Sequence, residues 1–389
     1  MVVSEAQAGG RPFAFAGSPR QFERDRPFDV RHLALDLDLD VTAKRIEGRA
    51  TLDVVRVDRA ATEIELDAVG FDLKSVSEGG KPAEHHYDGK VLRVAIPLGK
   101  EATSVVVAYS AAPRKGLYFL EPDEHVRDRP RQVWTQCQEE DARHWFPCHD
   151  KPHVKMTTEL CVRVPSGWYA LSNGALLKRE TPEGDRPWTY HWKMSEPHPS
   201  YLVTLAAGEF TEITDHAGSV PLSYFVPKGQ EANARRTFGR TPEMVAFFSE
   251  VTGVAYPWNK YAQIVVHDFI FGGMENTTAT TMYEHILLDE RAALDVTSDD
   301  LIAHELAHQW FGDLVTCRDW SEGWLNEGFA TFMEHVWREK ALGKDEFDYG
   351  IRADLHAYTS EANGRYKRPI VCHDYDAPLD LFDRHLYEA

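Results

Sequence analysis

Residues Thr297 to Glu327 read TSDDLIAHELAHQWFGDLVTCRDWSEGWLNE, and the reading of this stretch decides the fold. His304-Glu305-Leu306-Ala307-His308 is an H-E-x-x-H pattern. On a helix, two histidines four residues apart leave the same face. Two neutral imidazoles at that spacing can hold one Zn²⁺ and leave Glu305 beside the ion. The flanks predict such a helix. Thr297 is a cap residue with Asp300 three positions on, and Asp299 and Asp300 suit the positive end of the helix dipole. Ile302, Leu306 and Trp310 recur at i, i+4 and i+8 and form a packing stripe, and Gly312 is a natural stop.

Two histidines alone are also compatible with an ordinary core helix. A catalytic zinc needs a third protein ligand and an open position. Eighteen residues lie between His308 and Glu327, enough for a helix, a reversal and the start of a second helix that returns a carboxylate to the histidines. Two histidines and one carboxylate also suit Fe(II), but an iron site has no need of a glutamate between the histidines.

Composition narrows the class. The chain has 389 residues, enough for two or three domains. Its formal net charge is −19, which argues against nucleic-acid binding and against a basic membrane-surface patch. No apolar run approaches the roughly 18 residues of a membrane helix. The N-terminal MVVSEAQAGGRPFAFAG lacks a basic region followed by an apolar core, which argues against a secretory leader. Five scattered cysteines with no C-x-x-C pair point to free thiols and a cytoplasmic location.

Along the chain, residues 1–27 are rich in Gly, Pro, Arg and Gln and read as a loose lead-in. Leu33, Leu35, Leu37 and Leu39 alternate with Asp36, Asp38 and Asp40, which predicts a strand with one wet face. Strand-like runs follow at 50–57, 62–66, 91–96, 104–109, 155–164, 168–171, 189–193 and 201–210. Residues 28–215 therefore read as an all-β domain of packed sheets. Thr241-Pro242 starts a helix that Gly253 ends, 261–266 is a strand, and a further helix spans about 326–341 and stops near Gly343. Residues 216–389 read as a mixed α/β domain, so the chain as a whole is α+β and multidomain.

At this point a resemblance is plain. HELAHQW, the spacing to Glu327 and WLNEGFA are similar to the M1 (gluzincin) family of zinc aminopeptidases. Gly272-Gly273-Met274-Glu275-Asn276 matches the family's G-x-M-E-N motif, and Thr135-Gln136-Cys137-Gln138 resembles its second amine-anchoring segment. The GGMEN and TQCQ forms are similar in particular to the branch that contains leukotriene A4 hydrolase and bacterial aminopeptidases. The resemblance covers the chain from about residue 28 onward. It implies a saddle-like N-terminal β domain followed by a thermolysin-like zinc-peptidase domain, one Zn²⁺ per chain, and peptide substrates with a free N-terminus.

It also implies roles. His304, His308 and Glu327 are the metal ligands, and Glu305 is the general base. Glu275 binds the substrate α-ammonium, with Met274 beside it in the motif. Gly272 and Gly273 let the main chain approach the peptide. Gln138 is the second amine anchor and Gln136 its alternative. Tyr387 is the donor to the oxyanion. After Tyr387-Glu388 this chain has Ala389 where the family continues with Lys-Gly. The resemblance thus implies that the rest of the catalytic domain and a helical C-terminal domain are absent from it. Epoxide hydrolysis alongside peptidase activity, and a zinc-binding scaffold without turnover, stand as alternatives.

Overall fold

The computed structural model describes residues 11–388, which divide into two compact units: residues 25–298, and residues 299–388 together with 11–24. Residues 1–10 of the expected lead-in and Ala389 lie outside the described residues.

In the first unit the Leu/Asp alternation forms the strand Phe28–Asp40. Leu33, Leu35 and Leu37 are buried while Asp36 and Asp38 face water. The strand is central to an eight-stranded sheet, antiparallel to Arg45–Arg56 and parallel to Lys155–Val164. Leu35 lies opposite Ala50 on one side and Leu160 on the other, so the register puts apolar residues on the core face.

The expected run 201–210 is divided. Ser200–Leu202 is a 3-10 turn, Leu205–Gly208 is a strand of a four-stranded sheet, and Phe210–Ala217 begins a different sheet. Side chains end the turn before the ladder starts. Asn173 Oδ1 accepts from Thr204 N at 2.8 Å, and Ser172 Oγ donates to Thr204 O at 2.7 Å.

The five-stranded sheet runs in the order Phe210–Ala217, Val220–Pro227, Tyr261–Val266, Ala279–Tyr283, Gly273–Met274. Its three middle strands are parallel, and Gly273–Met274 pairs antiparallel at the edge. Phe210–Ala217 runs through the sequence boundary expected at 215/216. Two helices accompany this sheet, α1 (Glu231–Phe238) and α2 (Thr241–Thr252). Pro242 sits in the first turn of α2, and Gly253 ends it in the left-handed region at φ +69°.

The second unit is helical: α3 (Asp299–Ala307), α4 (Trp324–Leu342), α5 (Lys344–Gly364) and α6 (Arg384–Tyr387). Ile302, Leu306 and Trp310 are all buried, as the stripe requires. Helix α3 stops at Ala307, earlier than Gly312. Its last turn tightens through Gln309 N to Leu306 O and Trp310 N to Ala307 O, both 3.0 Å, and the chain reverses at Gly312 (φ +124°). Helix α5 was not expected from the sequence; its apolar residues Phe347, Ile351 and Leu355 recur at i, i+4 and i+8, but Ile351 and Leu355 stay exposed and Gly350 is its only buried residue. Residues 11–24 are packed: Phe13 lies edge-on to Tyr366 at 5.0 Å, and Gln21 N donates to His373 O at 2.8 Å. Among the described residues no helix is long and apolar enough to cross a membrane.

Candidate metal centre

His304 lies in the last turn of α3, and His308 just beyond its end still bonds back to His304 O at 3.2 Å. Both rings therefore leave one face. Glu327 lies in the first turn of α4. The reversal between the helices is fixed to α4, because Asn326 Oδ1 accepts from Cys317 N at 3.0 Å. Phe311 stacks on Phe329 with centroids 5.0 Å apart. Gly312 is required here: a Cβ would lie 3.1 Å from His308 Nδ1, and its φ of +124° disfavours any side chain.

The three expected ligand atoms converge. His304 Nε2 and His308 Nε2 are 3.1 Å apart, and Glu327 Oε2 is 3.4 Å from the first and 3.3 Å from the second. Ligands at 2.0–2.1 Å from a tetrahedral Zn²⁺ are separated by about 3.3 Å, so this triangle has the dimensions of one face of a zinc tetrahedron. The tautomers agree. His308 Nδ1 meets the Phe311 carbonyl at 2.9 Å, and a carbonyl only accepts, so the proton is on Nδ1. His304 Nδ1 meets Glu334 Oε1 at 2.7 Å. Both Nε2 lone pairs therefore point at the same place as a carboxylate, an arrangement that needs a cation.

The surrounding carboxylates likewise favour positive charge at this place. Burial opposes protonation of His304, but its hydrogen bonds to Glu327 and Glu334 outweigh that and hold its pKa well above the usual value. Burial likewise raises the Glu327 carboxyl, and His308 and His304 together hold it well below the usual carboxylate range. Glu334 is the one residue here that the motif did not reveal. It follows Glu327 by seven residues, two turns along the same face of α4, so the two carboxylates take opposite nitrogens of one ring.

Glu305 is buried at 4% exposure and leaves α3 beside the ligands. Tyr387 belongs to the same unit, and its ring centroid is 6.3 Å from that of His304. Packing holds its segment in place. Asp383 caps α6 by accepting from His385 N and Leu386 N, at 3.0 and 3.1 Å. Leu386 closes on α4, where a Cβ on Gly323 would lie 3.2 Å from its Cδ1 and a Cβ on Gly328 3.3 Å from its carbonyl. Glu361, Asp383 and His385 form a second group of possible metal ligands. There Arg368 already takes both Asp383 oxygens and Arg365 pairs with Glu361, so the cations are side chains.

In the other unit, Glu275 is buried at 2% exposure, and Gln138 Nε2 reaches its Oε1 at 3.4 Å. Gln136 is buried at the end of its strand, and its Oε1 has no hydrogen-bond partner among the described residues. Gly273 and Met274 form the edge strand of the five-stranded sheet, and Gly272 O accepts from Tyr283 N at 3.0 Å.

An H-E-x-x-H pair closed by a glutamate on the following helix is the ligand pattern of a zinc peptidase. The chain belongs to peptidase family M1: residues 28–202 match the Peptidase M1 N-terminal domain and residues 236–389 the Peptidase family M1 domain. It is 28% identical over 330 residues to leucine aminopeptidase 2 of Chaetomium globosum, covering 81% of this chain and 52% of that protein. It is 27% identical over 329 residues to leukotriene A-4 hydrolase of Xenopus laevis, covering 81% and 52%. In fold it matches the crystal structure of an M1 zinc metallopeptidase from Deinococcus radiodurans, with TM-score 0.75 and 23% identity over 98% of this chain and 83% of that one. The chain thus spans about half the length of the two curated relatives.

Proposed function

We propose that this chain carries the catalytic apparatus of a zinc aminopeptidase, hydrolysing the first peptide bond of substrates with a free α-amine, with one Zn²⁺ per chain. The observation that supports it most is the triangle of His304 Nε2, His308 Nε2 and Glu327 Oε2, with edges of 3.1 to 3.4 Å. Bound zinc supplies Lewis acidity and brings the pKa of water down to about 7. Glu305 takes a proton from the attacking water and returns it to the leaving amine. The Tyr387 hydroxyl donates to the developing oxyanion. Glu275 receives the substrate ammonium as a charge-assisted acceptor, and Gln138 turns its amide oxygen to the same group. Gly272, Gly273 and Met274 offer an edge strand to an extended peptide.

The test is zinc content together with a panel of aminoacyl fluorogenic anilides and their N-acetylated counterparts. One zinc per chain, turnover of the free-amine compounds and none of the acetylated ones is the expected pattern. Zinc without any turnover would make this chain a binding scaffold. Equal turnover of acetylated substrates would remove Glu275 and Gln138 from the account.

A further inference from the structure

Lys260 immediately precedes the strand Tyr261–Val266, and its ammonium meets three oxygens: Ser172 O at 3.1 Å, Thr278 O at 3.0 Å and Thr278 Oγ1 at 3.2 Å. The three oxygens match the three N–H donors of the charged form, although burial pushes the pKa of this lysine down to about 7. It lies 5.1 Å from the Trp192 ring centroid and forms no ion pair among the described residues. A cation given to carbonyls in place of a carboxylate adds nothing to charge balance. What it does is fix a backbone.

That backbone is the turn directly after Glu275. Thr278 adopts φ +67°, a left-handed conformation that a β-branched residue avoids unless its surroundings hold it there. The surroundings do. Ala262 N also donates to Thr278 O at 2.9 Å, Gly174 N to Thr278 Oγ1 at 2.8 Å, and Asn173 Nδ2 to Thr277 O at 2.7 Å. One residue further back, Ala279 N closes the turn on Asn276 O at 2.8 Å. The turn therefore joins the antiparallel strands Gly273–Met274 and Ala279–Tyr283 while holding Glu275 at its entrance, and Lys260 is the only titratable side chain among these clamps.

We propose that Lys260 is a positioning residue for amine recognition: by pinning Thr278 it fixes the turn that aims the Glu275 carboxylate. This rests on the reading of Glu275 as the amine anchor. Lys260 touches no substrate in this scheme and acts only through Glu275.

The test compares two zinc-chelating ligands on the zinc-loaded protein: L-leucine hydroxamate, and 4-methylpentanohydroxamic acid, which lacks the amine. The ratio of their affinities measures amine recognition alone. General damage to the fold or to zinc binding lowers both affinities and leaves the ratio unmoved. Lys260→Met is expected to shrink the ratio on the order of 10- to 100-fold, as a misplaced anchor would, and Glu275→Gln to abolish it. Thr278→Gly removes the hydroxyl acceptor, tolerates the left-handed backbone and keeps Lys260. It is expected to lower the ratio by less, and it decides the question should Lys260→Met not fold. A ratio erased by Glu275→Gln but kept in Lys260→Met or, failing that, Thr278→Gly overturns the role of Lys260. A ratio that survives Glu275→Gln overturns the amine-anchor reading itself.

Discussion

Arg368 and Asp383 form a paired contact away from water, Nε to Oδ2 at 2.9 Å and Nη2 to Oδ1 at 2.6 Å, and the same carboxylate caps the helix that carries Tyr387. The arginine is otherwise engaged with the carbonyls of Pro369, Ile370 and Leu381, and its guanidinium lies over the Phe13 ring. Replacing Arg368 by Met strands a buried carboxylate, which costs about 3–5 kcal/mol. Urea denaturation should show that loss in the unit holding residues 299–388. A drop below about 1 kcal/mol would mean the pair is dispensable.

Tyr387→Phe removes only the hydroxyl and leaves Asp383, Leu386 and the ring packing in place. A donor to a developing oxyanion is worth about 10²–10³ in kcat. Steady-state kinetics on a free-amine anilide should show that fall with KM nearly constant. A change confined to KM would place Tyr387 in ground-state binding.

Glu334 holds the His304 ring through Nδ1, on the side opposite the Nε2 that faces Glu327. Partners of this kind contribute roughly 10- to 100-fold to metal affinity. Glu334→Gln should therefore release zinc to a competing chelator at correspondingly lower chelator concentration, while the protein stays folded. Unchanged zinc affinity would show that the 2.7 Å contact adds nothing to ligand orientation.

His198 makes the stability of the β unit sensitive to acid. Its Nε2 bonds Thr158 Oγ1 at 2.8 Å, its Nδ1 is buried without a partner, and burial, aided by Lys155, pushes its pKa down to about 3. A lowered folded-state pKa means that the unfolded chain binds the proton first as pH falls below about 6.5. The contribution is thus complete above that pH and is lost progressively toward pH 3. Between pH 7 and pH 5 the loss is about 2 kcal/mol. Urea midpoints at the two pH values, compared with those of His198→Gln, isolate it. Equal pH dependence in the two proteins would contradict the assignment.

Much of this was legible in the sequence, for physical reasons that differ by element. The Leu33–Leu37 alternation and the Ile302–Leu306–Trp310 stripe each bury one face, so periodicity announced them. The ligand triad was legible because zinc dictates residue type and spacing together. Glu334 was visible only as a second glutamate on the Glu327 face, which means nothing until α4 is known to face His304. Helix α5 carries Phe347, Ile351 and Leu355 at helical spacing, but it buries almost nothing, so that short pattern was not tied to a core. The clamps on the 275–278 turn, Lys260 and Asn173, lie away from it in sequence: the parallel pairing of Tyr261–Val266 with Ala279–Tyr283 brings up Lys260, and Asn173 reaches Thr277 O from the turn after Tyr169–Ser172. The anchoring of Tyr387 was hidden in the same way, since it depends on Arg368 reaching Asp383.

If Glu305 moves the proton at a zinc centre held by His304, His308 and Glu327, its replacement must separate metal binding from turnover. Glu305→Gln keeps the shape of the side chain and removes its basicity. Zinc content should stay at one per chain while kcat on an aminoacyl anilide falls by about 10²–10⁴, the usual contribution of a positioned general base. Full zinc with undiminished turnover in that variant would contradict the account.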